Sequence, residues 1–358
     1  MSVSHFPAGG RDPLALAPAD CGRGHACQFC PEESTCSLDK PKHEKRLIES
    51  RLGQIGQILL VMANKGGVGK STVSANLAAG LAARGYRVGV ADADIHGPNQ
   101  SRFFGFVGER IRLGGYGLTT QNFQAESIEH PIKVGSLAFM MESDDTPIVW
   151  RDAYKHDFMH HLIGSFDWGA LDFLVVDMPP GTGNELITLA DMLEGQDVAA
   201  LLATTPQEVA LMDSLKAVRF CQERSLPLLG VVENMSGVTC PHCSGEFHLF
   251  PRGHLAAALA EHDVESLAQI PLSPALASGS DAGRPIVIDA PDSPEALAFA
   301  PAIDACVAHA KALFAEAAAH SLSALVDEAG SEIDAALADV PEEQREALRD
   351  QLADLLRR

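Results

Sequence analysis

The chain has 358 residues, 46% of them hydrophobic, and a formal net charge of −21. This length predicts about two domains. The chain has no run of about 18 apolar residues without a charge, so no membrane span is predicted. The first twenty residues lack a basic region followed by an apolar run, so no secretory signal is predicted. The electrostatic field of such a negatively charged protein repels DNA, RNA and anionic lipid. We therefore expect a cytoplasmic protein that binds neither nucleic acid nor membrane.

Residues 1–50 are predicted to form a cysteine-rich extension of the main domain. Their first part is rich in Gly, Pro and polar residues and holds Cys21, Cys27, Cys30 and Cys36. In a cytoplasmic chain, clustered cysteines indicate metal or redox chemistry rather than structural disulfides. Four thiols around a C-x2-C core suit a four-iron cluster and Zn²⁺ equally, so the spacing leaves both open. A charged stretch at 39–51 predicts a helix that leads into the main domain.

Short apolar runs predict the strands of the main domain, residues 51–318. They cover residues 58–63, 88–91, 173–176, 198–202 and 228–232. Helical patterns at 71–84 and 208–223 lie between them. Strands that alternate with helices predict an α/β fold, with a doubly wound, mainly parallel sheet covered on both faces. Ligands bind such sheets at the carboxyl ends of the strands, which is where the polar motifs of this chain fall.

The segment between the first strand and the next helix has the pattern of a phosphate-binding loop. It consists of Lys65, Gly66, Gly67, Val68, Gly69, Lys70, Ser71 and Thr72. The glycines let backbone N–H groups approach phosphate oxygens, and the helix that follows adds the positive end of its dipole. We expect Lys70 to reach the β- and γ-phosphates and Ser71 to ligate Mg²⁺. Asn64 replaces the glycine of the strict pattern, and we expect it to tolerate a left-handed backbone.

Carboxylates follow two further strands. Asp92 and Asp94 come after the run at 88–91, and Asp177 ends the run at 173–176. A hydrophobic strand that ends in an acid is the Walker B arrangement, in which the carboxylate holds Mg²⁺ through water. Residues 179–183 are predicted to form a loop that senses the γ-phosphate. Together with the phosphate loop, these elements predict a nucleoside triphosphatase.

A second pair of cysteines, Cys240 and Cys243, lies in a predicted loop. Two thiolates cannot complete a tetrahedral metal site or hold a four-iron cluster alone. The pair therefore needs two more ligands or a second chain, and a symmetric dimer would supply four thiolates. The remaining cysteines, Cys221 and Cys306, lie in helical patterns and are predicted to be buried structural thiols.

Residues 319–358 are predicted to form a helical C-terminal tail. Asp339 and Pro341 mark a helix start. An apolar stripe between residues 347 and 356 is predicted to pack on its own domain, with a partner or dimer contact as the alternative. The polar face of this tail is mainly acidic, which disfavours a helix lying on a membrane surface.

Taken together, five motifs resemble those of the Mrp/ApbC iron–sulfur carrier ATPases. They occupy residues 65–72, 92–98, 176–182, 204–210 and 233–243. The phosphate loop resembles the deviant Walker A group of dimeric P-loop ATPases, in which the first lysine, Lys65 here, contacts nucleotide across the dimer interface. The resemblance also implies that Asp94 positions the attacking water and that Asp92 supports the Mg²⁺ shell. It implies that Asn234 recognises the base of ATP.

The resemblance further implies a homodimer or a heterodimer that hydrolyses ATP slowly, and we expect a homodimer. Such a dimer would bind a [4Fe–4S] cluster between the Cys240 and Cys243 pairs of its two chains and deliver it to apoproteins. The N-terminal cysteines resemble the extension of the eukaryotic cytosolic scaffold branch, which favours a second [4Fe–4S] cluster there over zinc.

Three departures from the family pattern accompany this resemblance. They are Asn64, Asn184 and the run Asp152, Ala153 and Tyr154. The last two departures are expected to affect the coupling of the switch loops to the nucleotide and the rate of hydrolysis.

Two other functions compete with the carrier. One is a ParA/MinD-like positioning ATPase, which the acidic charge and the lack of a basic C-terminal helix disfavour. The other is a zinc-binding metallochaperone.

Overall fold

The computed structural model describes residues 25–95, 97–140, 152–181, 183–240, 242, 243, 245–250 and 255–336. The chain divides into two compact units, Met1–Ala308 and His309–Arg358, and the division falls within the last helix. The domain limits 1–50, 51–318 and 319–358 remain predictions. Cys21, Arg151, Thr182 and the predicted helix start at Asp339 lie outside the described residues, as does the stripe at 347–356.

The described strands are β1 Ile55–Met62, β2 Val88–Asp92, β3 Gln121–Phe123, β4 Ile132–Ser136, β5 Leu171–Asp177, β6 Val198–Thr204, β7 Leu228–Asn234, β8 Val238–Thr239, β9 Glu246–Phe247 and β10 Ser266–Ile270. The described helices are α1 Lys40–Leu52, α2 Lys70–Ala83, α3 Gln100–Phe103, α4 Asp152–Gly164, α5 Asn184–Met192, α6 Glu208–Glu223, α7 Leu255–Ala260, α8 Pro274–Asp281, α9 Ile286–Asp289, α10 Pro294–Leu297 and α11 Ala300–Ala336.

Eight of the described strands form one sheet in the order β10-β7-β6-β1-β5-β2-β4-β3. Neighbours pair in parallel, except β3, which runs antiparallel to β4 at the edge. Strands β8 and β9 form a separate antiparallel hairpin. This architecture confirms the predicted α/β fold with a mainly parallel sheet.

The central strands are buried over their whole length, because helices cover both faces of the sheet. Every residue of β1, β2 and β5 is buried. On one face, Leu60 and Leu174 pack in a core that contains Leu162 of α4 and the fully buried Trp168. All five predicted apolar runs are strands. Each strand is longer at one or both ends than the predicted apolar run, because the hydrogen bonds between strands continue into polar residues at the strand ends.

Helix α1 attaches the cysteine-rich segment to the main sheet. The Asp39 side chain caps it by accepting from the Lys42 N–H at 3.1 Å, and proline stands in its first turn. It packs on α4 so closely that a Cβ added to Gly164 would lie 2.6 Å from Cγ1 of Ile48. The buried Arg51 pairs with Asp167 at 3.3 Å. Helix α1 therefore anchors the cysteine-rich segment that precedes it to the main domain.

One helical stretch of the described residues, Pro294–Ala319, is long and apolar enough to cross a membrane by length and composition. The sequence prediction did not count it because Glu295, Asp304, Lys311 and Glu316 interrupt it. Core helices of soluble proteins meet the same criteria, so the stretch is weak evidence for a membrane span.

Candidate functional site

The phosphate loop lies between the end of β1 and the start of α2. Gly67 and Gly69 have φ values of +80° and +85°, which an L side chain rarely adopts. A Cβ added to Gly66 or Gly67 would meet nothing within 4 Å, and a cavity of about 270 Å³ covers the loop. Of the predicted binding residues, Lys65, Gly66 and Gly67 are exposed, Gly69, Ser71 and Thr72 are partly buried, and Val68 and Lys70 are buried. This open backbone cradle fits the phosphates of a nucleotide.

Asn234 supports the phosphate loop from the carboxyl end of β7. Its side chain is 5% exposed and donates from Nδ2 to the Val68 carbonyl oxygen at 2.8 Å. A Cβ added to Gly69 would overlap the same Nδ2 atom. Gly69 is thus required by close approach as well as by its backbone angle. The role of Asn234 in recognising a base remains a prediction.

Asn64, which replaces the glycine of the strict pattern, does not have a left-handed backbone. The loop therefore does not need the tolerance for that conformation that Asn offers. Instead, Nδ2 of Asn64 donates to the Asp213 carbonyl oxygen of α6 at 2.7 Å, so a tertiary contact fixes the start of the loop. One residue earlier, just after β1, the Ala63 carbonyl oxygen accepts from the Gly181 N–H at 2.8 Å. Gly181 of the predicted sensing loop therefore contacts the root of the phosphate loop.

The structure brings the three predicted carboxylates together around Lys70. Asp92 and Asp177 are paired in register on β2 and β5, and both are fully buried. The Lys70 ammonium lies 2.5 Å from Oδ1 of Asp177 and 3.5 Å from Oδ2 of Asp94. Lys70 is 6% exposed. One cation thus faces three acids in a site with little water.

Three polar side chains that the sequence did not single out complete the hydrogen bonding of these acids. Gln100 donates from its backbone N–H to Asp92 at 2.9 Å and from Nε2 to Asp177 at 2.8 Å. Ser136 Oγ donates to Asp92 at 3.0 Å and Ser74 Oγ to Asp177 at 2.9 Å. Gln100 stands at the start of α3, eight residues after Asp92, and nothing in the sequence at that position indicated its role.

Burial and mutual repulsion change the pKa values in this cluster. Burial, with Asp177 as the next cause, raises the pKa of Asp92 to about 8, although the Gln100 N–H, Lys70 and Ser136 act against it. Burial also raises the pKa of Asp94. Burial lowers the pKa of Lys70, but the Asp177 and Asp94 carboxylates outweigh it and raise that pKa overall. Carboxylate oxygens are ligands that Mg²⁺ prefers in proteins, and this site carries more negative than positive charge.

The raised pKa of Asp92 predicts that metal-free protein loses stability as the pH rises. The folded chain keeps a proton that the unfolded chain releases above its ordinary pKa of 3.8. The stabilisation is therefore complete below about pH 4 and is lost as the pH rises through about 8. In urea unfolding with chelator, the native chain should lose on the order of 2 kcal/mol more between pH 5 and pH 8 than Asp92→Asn, whose amide does not titrate.

An exposed acid, Asp281, provides the control for that measurement. Asp281→Asn should follow the native pH dependence. Equal slopes for the native chain and Asp92→Asn would contradict the assignment of the proton to Asp92.

The second cysteine pair lies at the tip of the β8–β9 hairpin. Cys240 is partly buried and Cys243 is exposed, and the Cys240 N–H donates to the Gly245 carbonyl oxygen at 2.9 Å. Hydrogen bonds from the N–H groups of His242 and Cys243, and from the Cys243 thiol, lower the pKa of Cys240 below its ordinary value. A lowered thiol pKa favours the thiolate that binds metal.

Two short 3₁₀ turns, Cys27–Phe29 and Glu33–Thr35, organise the N-terminal segment, with Cys30 and Cys36 directly after them. Cys27 is buried, and Cys30 and Cys36 are partly buried. Burial, then Glu44 and the Cys36 thiol, raise the pKa of Cys27. Thiolate sulfurs are the donors that iron–sulfur clusters and zinc take. Within the part of the chain that the structure describes, no three His, Cys, Asp or Glu side chains are arranged to hold a single metal ion.

The other two cysteines are buried in the helical parts of the fold, as expected. Burial raises the pKa of Cys221 to about 12 and also raises the pKa of Cys306. Neither is suited to bind metal, because both stay as neutral thiols.

A protein-family model matches residues 54–307 of the chain, and its description is ParA, NUBPL iron-transfer P-loop NTPase. The chain belongs to this family. Membership confirms the resemblance drawn from the motifs, and it makes the chain a P-loop NTPase.

Curated relatives point in the same direction. An iron–sulfur cluster carrier protein of Aquifex aeolicus is 43% identical over 247 residues, which are 68% of this chain and 65% of that protein. The chain thus spans slightly less than two thirds of that relative. A cytosolic Fe–S cluster assembly factor, the Nubp1 homologue of Drosophila pseudoobscura pseudoobscura, is 39% identical over 74% of this chain and 87% of its own length.

A solved structure supports the nucleotide site. It is a nucleotide-binding protein from Archaeoglobus fulgidus in complex with ADP, with cobalt found in it. It is 31% identical, covers 71% of this chain and 96% of its own, and superimposes with a TM-score of 0.60. The fold of this chain thus occurs in a relative that binds a nucleotide.

Proposed function

We propose that this protein is an ATP-dependent scaffold and carrier of [4Fe–4S] clusters. It would bind a cluster between two subunits and transfer it to apoproteins. The observation that carries the proposal is the path from the phosphate loop to the cysteines. Asn234 ends β7 with a hydrogen bond to the phosphate loop, and Cys240 follows six residues later in the same segment. The names of the relatives support the iron–sulfur cargo.

The nucleotide chemistry is assigned to the phosphate loop and the carboxylates around it. The backbone of residues 65–72 would cradle the phosphates, with Lys70 on the β- and γ-phosphates. Ser71 and Asp177 would hold Mg²⁺, which when bound neutralises charge on the phosphates. Asp92 would support this metal shell, and its proton would be released to the solvent as it does so. Asp94, whose side chain is 13% exposed, would orient the attacking water.

The dimer follows from two incomplete sites. Lys65 is exposed at the start of the cradle, where it would reach a nucleotide in the other subunit. The Cys240 and Cys243 pair supplies two thiolates, half of what a four-iron cluster needs. Two copies of this chain related by a two-fold axis would complete both kinds of site. The four cysteines would meet at the axis, and each Lys65 would reach the nucleotide of the other subunit. The exposed position of Cys243 suits a cargo that must be handed over.

ATP would control the cargo through loops that contact the phosphate site. Such loops order around a γ-phosphate and relax after hydrolysis. Residues 179–183 contact Ala63, and Asn234 contacts Val68. A change at the phosphates would pass through Asn234 to the β8–β9 hairpin and alter the spacing of its cysteines. The N-terminal cysteines would hold a second [4Fe–4S] cluster, and the protein would act in the cytoplasm.

The variant Cys240→Ala/Cys243→Ala tests the carrier function. After anaerobic reconstitution, we expect at least about a tenfold loss of cluster transfer to an apo four-iron enzyme, because the interface thiolates are gone. Nucleotide binding should be unchanged, because the hairpin tip is exposed and outside the core. His242→Ala is the matched control on the same tip and should transfer normally. If the double variant retained full transfer, the carrier role of this pair would be wrong.

Metal analysis separates the cluster from zinc. Anaerobically purified protein should contain iron and acid-labile sulfide. If the protein contained zinc without iron and sulfide, it would be a zinc-binding protein and not a cluster carrier. Binding of the chain to DNA or to anionic vesicles in co-sedimentation would instead favour a positioning ATPase.

A further inference from the structure

A histidine lies against the first described cysteine of the N-terminal segment. Nδ1 of His43 is 3.5 Å from Sγ of Cys27. The histidine is 4% exposed and the cysteine 8% exposed. A contact between two such buried groups is shielded from water, so its electrostatic effect is stronger than at the surface.

His43 is held in place independently of the cysteine it contacts. It lies in the first turn of α1, where its backbone N–H donates to the Asp39 carbonyl oxygen at 2.9 Å. Leu47 and Ile48, one turn further on, fix α1 against α4. On the opposite side of the cysteine turn, the Phe29 ring meets the His161 ring edge-on at 5.2 Å. The imidazole and the turn are therefore both anchored to the main domain.

The chemistry of a metal-bound cysteine determines the direction of this contact. A thiolate carries no proton and can only accept a hydrogen bond. For the contact to be a hydrogen bond when Cys27 binds iron, its proton has to be on Nδ1 of His43. Hydrogen bonds to the sulfurs are one of the factors that set the potential of an iron–sulfur cluster, and the orienting partners of metal ligands tune the metal.

We propose that His43 donates a hydrogen bond from Nδ1 to the Cys27 sulfur and so raises the reduction potential of a cluster held by Cys27, Cys30 and Cys36. The inference rests on the proposed function, which places a cluster at these cysteines. On reduction, one electron enters the cluster from the external reductant. No bond forms or breaks at His43, and its proton stays on Nδ1. The reduced cluster carries more negative charge on its sulfurs, so the donor stabilises it more than the oxidised form.

Two charged side chains also act on Cys27: Glu44 raises its pKa and Lys40 lowers it. The Lys40 ammonium lies 2.6 Å from Glu33 in an exposed ion pair. The contact from His43, in contrast, is buried.

The test uses the full chain carrying Cys240→Ala/Cys243→Ala, so that only the N-terminal cluster remains. It is reconstituted anaerobically and titrated with dithionite while the reduced cluster is followed by EPR. His43→Phe keeps an aromatic ring but removes the donor. At a fixed ambient potential, we expect the ratio of reduced to oxidised cluster to fall about tenfold, which is 59 mV for a one-electron couple. Iron and sulfide content should stay unchanged.

Two further variants separate the hydrogen bond from packing. His43→Asn places an amide near the position of Nδ1 and should restore most of the native potential. His161→Phe changes the contact on the other side of the turn and should leave the potential unchanged. Nucleotide binding reports in each case that the variant is folded.

Three results would overturn the proposal. A native potential in His43→Phe would show that the contact does not act on the cluster. Loss of iron from His43→Phe, with nucleotide binding intact, would make the histidine a ligand instead of a donor. If the parent with native His43 bound no iron at all, the N-terminal cluster itself would be refuted, before any change at His43 is considered.

Discussion

Lys70→Met is expected to abolish ATP hydrolysis and to destabilise the fold at the same time. The ammonium of Lys70 is buried between Asp177 and Asp94. Removing one partner of a buried ion pair leaves an uncompensated charge and typically costs about 3–5 kcal/mol. The raised pKa of Asp92 shows that this cluster already has difficulty in holding its negative charge. Loss of a charge that stabilises the transferring phosphate would slow hydrolysis by at least about 10²-fold.

The first lysine of the loop is the matched control for the second. Lys65 is exposed, so Lys65→Met should leave the free energy of unfolding within about 0.5 kcal/mol of the native value. We still expect it to lose hydrolysis, because its proposed contact is with a nucleotide in the other subunit. Urea unfolding without nucleotide and steady-state ATP hydrolysis measure the two effects. Equal stabilities of the two variants would contradict the structural role of Lys70.

The sheet was predictable where its strands are buried on both faces. β1, β5 and β6 are nearly continuous apolar runs, and such runs stand out in a sequence. β4 and β10 were missed because they lie towards the edges of the sheet and contain polar residues such as Lys133 and Gln269. β3 has three residues, of which Asn122 is exposed. Short strands with polar positions have no periodicity that distinguishes them from loops.

The carboxylates of the site were predictable because parallel strands bring their ends to one edge. Asp92 and Asp177 lie at strand ends, and the register places them side by side. Gln100 and Ser136 were not predictable, since their function depends on which carboxylate oxygen they face. The contact of Asn64 was not predictable for a related reason. Its side chain donates a hydrogen bond to a residue 149 positions away. Local propensity does not contain such contacts.

The contact between Asn234 and the phosphate loop leads to the second large effect. Gly69→Ala should destabilise the protein and abolish nucleotide binding together. A non-glycine residue at φ of +85° costs about 1–3 kcal/mol. The added Cβ would also displace the Asn234 amide, which leaves the Val68 carbonyl oxygen without its donor at a further cost of about 1–3 kcal/mol. Urea unfolding without nucleotide measures the sum.

Gly66→Ala separates the two consequences in the same loop. Gly66 is not left-handed, and its added Cβ meets nothing within 4 Å in the protein. The methyl group points into space that phosphate oxygens need, so calorimetry should show weaker nucleotide binding with unchanged stability.

Adding Asn234→Ala to Gly69→Ala tests the mechanism further. The two losses should be less than additive, because the amide that the Cβ strikes is already absent. Full additivity would mean that Gly69 is required for its backbone angle alone, and that its Cβ would not disturb the Asn234 amide.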